Sequence, residues 1–346
     1  MLGAKLRDSL FNEGPHVWIT DSGFLVCWID SGVVKSLFDR SENANGFESI
    51  YGFNPYPHYT HMLSEDYGRQ YQFEGIANYA AISDIHGQFD LYVILLKAHG
   101  IIDSALNWSY GAGHLIILGD IMDRGIGVTE ALWLTYKLES QALAAGGRVH
   151  FLCGNHEAMV MDDDLGYVDQ KYLTTATLMG TTHHELYGPS TLLGRWLHKR
   201  PIMLTINDDL ITHAGASPEL VDNAFSISQI NTLFIDSIYP QSKTKWWYDK
   251  QLHFLATSKG PLWYRGYFSG KFREEDMVDI LHYFNKRRII VGHTPSGEIR
   301  NMFNGKLLAI DASVQSGKNG EILLYEKGIY ARGLIDGGTL PLMVSP

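Results

Sequence analysis

Three short apolar runs that alternate with two amphipathic stretches limit the fold of this chain more than any other feature. Strands are predicted at residues 79–83, 114–118 and 149–153, and helices at residues 89–98 and 128–145. This β-α-β-α-β order is typical of a parallel sheet that is covered by helices on both faces. Right-handed crossover connections are expected between its strands.

The second half of the chain predicts a further, partly antiparallel set of strands. Helices are predicted at 191–199 and 273–285, and strands at 202–206, 210–213, 288–291, 307–310, 322–326 and 329–332. The short turns Asn304-Gly305 and Lys327-Gly328 predict antiparallel hairpins. The expected architecture is therefore α/β: a sandwich of two mixed sheets, face to face, with helices outside.

The N-terminal part has a different pattern. Residues 1–76 are expected to form an extension packed on the core, with strands at 16–20 and 24–30 around the turn Asp21-Ser22-Gly23. The main domain is expected to span residues 77–346. Residues 41–72, 162–189 and 239–272 lack clear periodicity and are predicted to be loops, which at this length often build functional sites.

Composition limits the class of partner and the compartment. The net charge of -10 argues against a nucleic-acid partner, which requires clustered Lys and Arg. Cys27 and Cys153 lie in apolar runs and are expected to be buried thiols. No signal peptide is recognisable in residues 1–10 and no run is long enough for a membrane helix. We therefore expect no membrane partner and a soluble protein, cytoplasmic by default, or periplasmic if a signal was removed.

Polar clusters follow five of the predicted strands at the point where each strand ends. Ligands of open α/β sheets bind in the crevice at the carboxyl ends of the strands, where these clusters are expected to meet. The side chains that could converge there are Asp84, His86, Asp120, Asn155, His213 and His293. Folding alone does not account for so many carboxylates and imidazoles at strand ends, since each requires a partner when buried.

These six side chains offer only oxygen and nitrogen donors. Such a set suits divalent ions such as Mn, Fe, Zn or Ni rather than metals that prefer thiolates. Asp120 lies in the middle of the set and could bridge two ions. Two ions roughly 3.5 to 4 Å apart bind a phosphate and activate a shared water. The sequence therefore predicts a centre with two divalent metal ions and phosphoester hydrolysis.

The order of these clusters resembles the phosphoprotein phosphatases of the calcineurin-like metallophosphoesterase superfamily. The motifs, between Asp84 and His293, are Asp-x-His-Gly, Gly-Asp-x-x-Asp-Arg-Gly, Gly-Asn-His-Glu, His-Ala-Gly and Gly-His-Thr. The resemblance implies a four-layer αββα sandwich for residues 77–346. It also implies that Asp84, His86 and Asp120 hold one metal ion, and that Asp120, Asn155, His213 and His293 hold the other.

Departures from the usual motifs narrow the resemblance. Ser83 stands where Gly is usual, Cys153 precedes Gly-Asn-His-Glu where eukaryotic members have Arg, and Asp311-Ala312-Ser313 stands near the place of a missing C-terminal segment. Together with the segment Gly260-Pro261-Leu262-Trp263-Tyr264-Arg265-Gly266, these features resemble the Shewanella-like branch of bacterial and plant phosphatases. That branch includes tyrosine-directed enzymes, so the resemblance favours phosphotyrosine as substrate.

The same resemblance assigns roles in catalysis. Arg124 and Arg265, with Asn155, would bind the phosphate; His156 would be the general acid, and Asp123 would orient it. The implied reaction is hydrolysis of phosphorylated proteins by in-line attack of a metal-bridging hydroxide. Aryl esters are expected to depend less on His156 than alkyl esters, because phenol is the better leaving group.

Two other functions remain open from the sequence. One is a dinucleotide polyphosphate hydrolase of the diadenosine tetraphosphatase type, although Glu157 stands where those enzymes typically have Asp. The other is a non-catalytic scaffold that binds phosphoproteins. Two aromatic stretches, 245–248 and Trp263-Tyr264, could form a wall for an aryl or peptide substrate, or could pack as an ordinary aromatic cluster. The oligomeric state is left open.

Overall fold

The computed structural model describes residues 11–40, 45–238 and 250–342. Its strands are β1 Glu13–Thr20, β2 Gly23–Asp30, β3 Val33–Arg40, β4 Gln72–Phe73, β5 Asn78–Ile82, β6 His114–Ile117, β7 Arg148–Phe151, β8 Met203–Ile206, β9 Asp209–Thr212, β10 Arg288–Val291, β11 Arg300–Met302, β12 Leu307–Ala309, β13 Glu321–Glu326, β14 Ile329–Leu334 and β15 Thr339–Leu342.

The α-helices lie between these strands. They are α1 Asn45–Tyr51, α2 Tyr56–Met62, α3 Phe89–Ala98, α4 Val128–Ala144, α5 Asn155–Met161, α6 Gln170–Met179, α7 His183–Leu186, α8 Leu192–Leu197, α9 Pro218–Asp222, α10 Ile227–Ile238, α11 Lys250–Leu255 and α12 Glu274–Phe284. Among the described residues, no helix is long and apolar enough to cross a membrane.

The prediction of two mixed sheets is confirmed. Sheet I has the strand order β15-β14-β13-β5-β6-β7, and sheet II has the order β11-β12-β10-β9-β8-β4. Strands β5, β6 and β7 are parallel, while β13 pairs with β5 in the antiparallel sense. The hairpin predicted at Lys327-Gly328 is confirmed as the antiparallel pair β13–β14. An antiparallel hairpin also forms around Asn304-Gly305, but its first strand is β11, which was not predicted, and the predicted strand 288–291 pairs with β12 in the parallel sense.

The hydrophobic core explains why the sheets lie face to face. One buried cluster combines Ile116 and Leu118 of sheet I with Ile211 and Ile290 of sheet II. Because side chains alternate along a strand, the neighbouring residues point to the outer faces, where helices cover them. Helix α4 contacts β7 on one outer face, and α10 contacts β8 on the other.

The N-terminal residues form a third, three-stranded antiparallel sheet of β1, β2 and β3. The hairpin predicted at residues 16–30 is confirmed, but β3 was not predicted. Strand β1 contacts α4 and α8, and a β-bridge joins Trp18 to Thr191.

Several predictions of loop structure are wrong. Residues 41–72 contain α1 and α2, residues 162–189 contain α6 and α7, and residues 239–272 contain α11. These helices have 4 to 10 residues, which leaves few turns in which an apolar period can be recognised. Of the two cysteines, Cys153 is buried and Cys27 is half-buried, and neither forms a disulfide.

Candidate metal-binding and active site

The candidate site lies at the carboxyl ends of five strands from both sheets. Asp84 and His86 follow β5, Asp120 follows β6, and Asn155 and His156 begin α5 just after β7. His213 follows β9, and His293 follows β10 in sheet II. Within each sheet a backbone hydrogen bond joins neighbouring strand ends: the amide of Asp84 donates to Gly119 after β5 and β6, and that of Gly292 donates to His213 after β10 and β9.

Asp120 lies at the centre of the site. Its Oδ2 atom is 3.3 Å from Nε2 of His213, 3.5 Å from Nε2 of His86 and 3.9 Å from Nε2 of His156. Two groups of potential donor atoms share this carboxylate, and within each group the atoms lie within 4.8 Å of one another. The groups are His86, Asp120 and His156, and Asp120, His213 and His293.

His213 shows why these atoms favour a cation. Its Nδ1 lies 2.5 Å from the carbonyl oxygen of Leu118, which can only accept, so Nδ1 carries the proton. Nε2 then faces Oδ1 of Asn155 at 2.9 Å and Oδ2 of Asp120 at 3.3 Å. The Nε2 lone pair of His213 and these two oxygens are all hydrogen-bond acceptors, and no proton lies between them unless His213 is doubly protonated. Burial alone would lower the pKa of His213, but Asp120 raises it to about 10, so a second proton can take the cation's place.

His86 and His293 present the same signature. Nδ1 of His86 donates to the carbonyl oxygen of Met122 at 2.8 Å, which leaves Nε2 as an acceptor. Within the described part of the chain, Nε2 of His86 and Nε2 of His293 are buried without a hydrogen-bond partner. Burial, together with His213 and Arg265, lowers the pKa of His293 to about 2, so its imidazole is neutral and can bind a metal ion.

Asp84 is fixed by the other sheet. Its Oδ2 atom accepts hydrogen bonds from the backbone N–H of His293, at 2.8 Å, and from the Ser83 hydroxyl. Oδ1 lies 3.9 Å from Nε2 of His86. One oxygen is thus used for positioning, and the other is directed toward the site. The six side chains predicted to bind metal offer only oxygen and nitrogen donors, which suit borderline and hard divalent ions.

His156 is oriented by a buried carboxylate. Its Nδ1 lies 2.7 Å from Oδ2 of Asp123, and its backbone N–H donates to Oδ1 of Asp120 at 3.0 Å. Burial lowers the pKa of His156, but the bond to Asp123 and the charge of Asp120 outweigh burial and raise it above the ordinary value. His156 therefore holds a proton more readily than a free imidazole does, which suits a general acid.

Two arginines lie at the exposed edge of the site. Nη2 of Arg124 is 3.3 Å from Nε2 of His156, and Nη1 of Arg265 donates to the Thr294 hydroxyl at 3.2 Å. The ring of Tyr167, which is 52% exposed, lies 5.0 Å from His156 and 5.8 Å from the Arg124 guanidinium. On the other side, the Trp263 ring lies 5.7 Å from His293.

Left-handed backbone conformation is concentrated in these residues. A non-glycine residue with positive φ costs on the order of 1 to 3 kcal/mol, and such residues often lie at functional sites. Positive φ angles, between 46° and 69°, occur at Asp84, His86, Asp120, Asp123, Arg124 and His293. The fold therefore holds six of the candidate residues in conformations that local preference disfavours.

Glu157 and Asp311 are site residues whose positions sequence reasoning did not anticipate. The buried carboxylate of Glu157 accepts the N–H groups of Asp120, Ile121 and Met122, and also that of Gly154. Asp311 follows β12, and its buried Oδ2 atom has no hydrogen-bond partner among the described residues. Burial, together with Asp84, raises the pKa of Asp311 to about 8. The sequence offered one signal for Asp311, namely that it follows a predicted strand, as the other site residues do.

The sequence left two readings of the aromatic stretches open, a wall for the substrate or an ordinary packed cluster. Tyr264 is buried and packs against Tyr267 and Phe272, so this residue belongs to an aromatic cluster. Trp263 is half-buried and reaches the site. Lys245, Trp246, Trp247 and Tyr248 lie outside the described residues.

Comparison with known proteins identifies the class to which this fold and site belong. The profile of the calcineurin-like phosphoesterases matches residues 77–297. The chain belongs to the calcineurin-like phosphoesterase family. The family resemblance stated from the motifs is therefore confirmed, and with it the assignment as an enzyme.

Within that family, the chain is similar to three named phosphatases. The crystal structure of the cold-active protein-tyrosine phosphatase of a psychrophilic Shewanella species matches with a TM-score of 0.85 and 38% identity, over 96% of this chain and 100% of that one. Shewanella-like protein phosphatase 1 of Plasmodium berghei is 26% identical over 68% of this chain and 66% of its own length. Shewanella-like protein phosphatase 2 of Arabidopsis thaliana is 36% identical over 30% of this chain and 27% of its own length.

Proposed function

We propose that this chain is a metal-dependent phosphomonoesterase that acts on phosphoproteins and prefers phosphotyrosine. The observation that carries the proposal is the position of Asp120, whose carboxylate is shared by two groups of buried donor atoms. The 38% identity to a protein-tyrosine phosphatase over nearly the whole chain supports the substrate class.

The chain offers donors for two divalent ions. Asp84, His86 and Asp120 would hold one ion, and Asn155, His213 and His293, with Asp120 shared, would hold the other. His156, which lies in one donor group with His86 and Asp120, is proposed to remain the acid rather than to bind the metal. When bound, such ions supply a nucleophile at neutral pH and neutralise charge on the phosphoryl oxygens. His86 and His293 are ready for this role, because their buried Nε2 atoms have no other partner within the described residues.

Arg124 and Arg265 are proposed to bind the phosphoryl oxygens. Each guanidinium is exposed at the edge of the buried donors, and a planar guanidinium can donate two parallel hydrogen bonds to a phosphate. Asn155 would add a neutral contact to the substrate from the first residue of α5. Since the net charge of the protein is -10, such local positive charge is needed to attract an anionic substrate.

His156 is proposed to protonate the leaving oxygen, and Asp123 to orient it. The 2.7 Å contact between Nδ1 and Asp123 leaves Nε2 directed toward Asp120 and Arg124, where the phosphate would bind. A phenol ring leaving from this position would lie close to the exposed ring of Tyr167. Aromatic rings favour edge-to-face or offset contacts at such distances, which supports an aryl substrate.

One experiment tests the proposal directly. The purified protein would be analysed for metal content and assayed on two peptides of the same sequence, one with phosphotyrosine and one with phosphoserine, and on a dinucleotide polyphosphate. We expect two divalent ions per chain and the highest kcat/KM for phosphotyrosine. Asp120→Asn, checked for folding by circular dichroism, serves as the inactive control. Faster turnover of the dinucleotide polyphosphate, or phosphopeptide binding without turnover, would overturn the proposal.

A further inference from the structure

The loop that carries Arg124 is held by a second segment of the chain at every other residue. The N–H of Arg124 donates to the carbonyl oxygen of Tyr167 at 2.9 Å. The ammonium of Lys171 donates to the carbonyl oxygen of Ile126 at 2.7 Å. The N–H of Val128 donates to the Tyr172 hydroxyl at 2.7 Å. Residues 167–172 therefore fix the path of the loop from Arg124 to the start of α4.

This loop needs external support. Asp123 and Arg124 have φ angles of 69° and 66°, a region that non-glycine residues rarely occupy. Such conformations persist only where the surrounding structure imposes them. The three hydrogen bonds from residues 167–172 are contacts of that kind, and Lys171 provides the only one of the three that comes from a charged group.

Lys171 is linked in turn to the N-terminal sheet. Its ammonium forms an ion pair with Glu13 of β1, whose side chain is fully buried, and lies 3.6 Å from Glu130. Burial would raise the pKa of Glu13, but His16 and Lys171 outweigh it and lower the pKa, so the carboxylate is charged. His16 also lies 3.4 Å from this carboxylate, but Lys171 is the partner that reaches the loop, and separating a buried ion pair leaves an uncompensated charge.

Strand β1 also contacts the other flank of the loop. The hydroxyl of Thr129, in the first turn of α4, donates to the Glu13 carboxylate. Farther along the helix, Nε1 of Trp133 donates to the carbonyl oxygen of Pro15 at 2.8 Å. Glu13 thus joins the helix that follows the Arg124 loop to the lysine that holds the loop's middle.

We propose that the N-terminal sheet positions Arg124 for phosphate binding, through Glu13 and Lys171. This inference rests on the proposed function, because it takes Arg124 as a phosphate ligand. Glu13 and Lys171 are positioning residues: neither is placed among the groups that would touch the substrate. The N-terminal residues would then be a working part of the phosphate site rather than a separate addition to the fold.

The test compares two lysines of similar exposure, each of which donates to a backbone carbonyl group and pairs with a carboxylate, although Glu13 is buried and Glu74 is exposed. Lys171→Met removes the contact to Ile126 and Glu13; the Lys171 side chain is 15% exposed. Lys286→Met is the control, because Lys286 is 11% exposed, donates to the carbonyl oxygen of Asn207 at 2.6 Å and pairs with Glu74 at 3.0 Å. We expect only Lys171→Met to weaken inorganic phosphate binding, measured by calorimetry, and to lower kcat/KM for an aryl phosphate by about tenfold.

A double-mutant cycle separates positioning from general destabilisation. In an Arg124→Ala background, Lys171→Met should weaken phosphate binding no further, since the residue that it positions is gone. Glu13→Gln, which keeps an acceptor for Thr129 but removes the charge, should act in the same direction as Lys171→Met and provides a second, milder variant.

Three results have distinct meanings. Unchanged phosphate affinity and kcat/KM in both Lys171→Met and Glu13→Gln would overturn the positioning role. Equal losses from Lys171→Met with and without Arg124 would also overturn it, because the effect would then not pass through Arg124. A wild-type protein that binds phosphate but hydrolyses no aryl phosphate would refute the proposed function, while the phosphate affinities of the variants would still decide the positioning role.

Discussion

Nδ1 of His156 lies 2.7 Å from Oδ2 of Asp123, and both side chains are buried at the edge of the donors that surround Asp120. This contact fixes the ring so that Nε2 is directed toward the space between Asp120 and Arg124. It also stabilises the protonated imidazole, which is the form that a general acid requires. The first two predictions follow from this pair.

Replacing Asp123 by Asn should shift the pH dependence of activity. The hydrogen bond to Asp123 and its charge both raise the pKa of His156, so Asp123→Asn should lower that pKa and with it the alkaline limit of the kcat profile. Asp164→Asn removes the same charge from an exposed position and should leave the profile in place. An unshifted alkaline limit in Asp123→Asn would count against His156 as the acid.

Replacing His156 by Ala should affect alkyl phosphates more than aryl phosphates. General acid catalysis contributes roughly 100-fold to 10,000-fold, and we expect a loss in this range for phosphoserine peptides. Phenol, with a pKa of about 10, leaves more readily without a proton, so the loss for phosphotyrosine should be smaller. Steady-state kinetics on the two peptides provide the measurement. Equal losses on both would show that His156 does not protonate the leaving oxygen.

Replacing Glu157 should lower the stability of the fold, because this carboxylate binds the backbone of two loops. Its two carboxylate oxygens accept four backbone N–H groups, and the single oxygen of Gln cannot replace both. Glu157→Gln should therefore lower the free energy of unfolding by about 2 to 4 kcal/mol, as measured by urea denaturation. Glu185, which accepts the N–H of Thr182 in an exposed capping box, offers the matched control. Its change to Gln should cost no more than about 0.5 kcal/mol.

The regular parts of the fold could be predicted because their apolar patterns are local. The predicted helix 89–98 and the predicted strand 288–291 agree with α3 and β10 residue for residue. Helix α1 was missed because it has seven residues and one buried side chain, Phe47, so its pattern contains no repeat. Strand β3 was missed because its sequence mixes Lys35 and Ser36 with apolar residues that remain largely exposed.

The candidate site could be predicted because its donors follow strands, and strand ends meet by topology. Glu157 and Tyr167 could not be found in this way. Glu157 acts on the backbone of residues 120–122, which is distant in sequence, and the position of Tyr167 beside His156 depends on the path of a loop. Such contacts join separate segments of the chain, so neither the hydrophobic period nor the spacing of motifs predicts them.

Gly292 is a position where even one methyl group should disturb the site. A Cβ atom at this residue would lie 1.7 Å from Oγ of Ser83 and 2.7 Å from Oδ2 of Asp84. Gly292→Ala should therefore displace Asp84 and reduce bound metal, as measured by elemental analysis. At Gly188 the nearest atom to an added Cβ is 3.4 Å away, so Gly188→Ala should retain the metal content of the wild type. Full metal content in Gly292→Ala would argue that Asp84 is not a ligand.

Acid lability should originate partly in a histidine pair far from the candidate site. Nε2 of His150 lies 2.9 Å from Nδ1 of His114, and Phe73 packs against both rings. Burial, together with Arg148, lowers the pKa of His114 to about 4, and burial with His114 lowers that of His150 well below its ordinary value. Both rings are therefore neutral in the folded protein at pH 6, where an unfolded chain begins to bind protons, with a reference pKa of about 6.5.

The sign of the pH effect follows from these pKa values. Between pH 6.5 and about 4 the unfolded state binds more protons than the native state, so the free energy of unfolding should fall as the pH falls. The slope is at most roughly 1.4 kcal/mol per pH unit for each proton. His150→Gln should lower the free energy of unfolding at pH 7.5, because a buried contact is removed. Between pH 7 and 5, however, its free energy of unfolding should fall by less than that of the wild type, as measured by urea titrations. His282→Gln, at an exposed position of α12, controls for the loss of a histidine. A variant at position 150 with the full wild-type slope would show that this pair does not contribute to the acid lability.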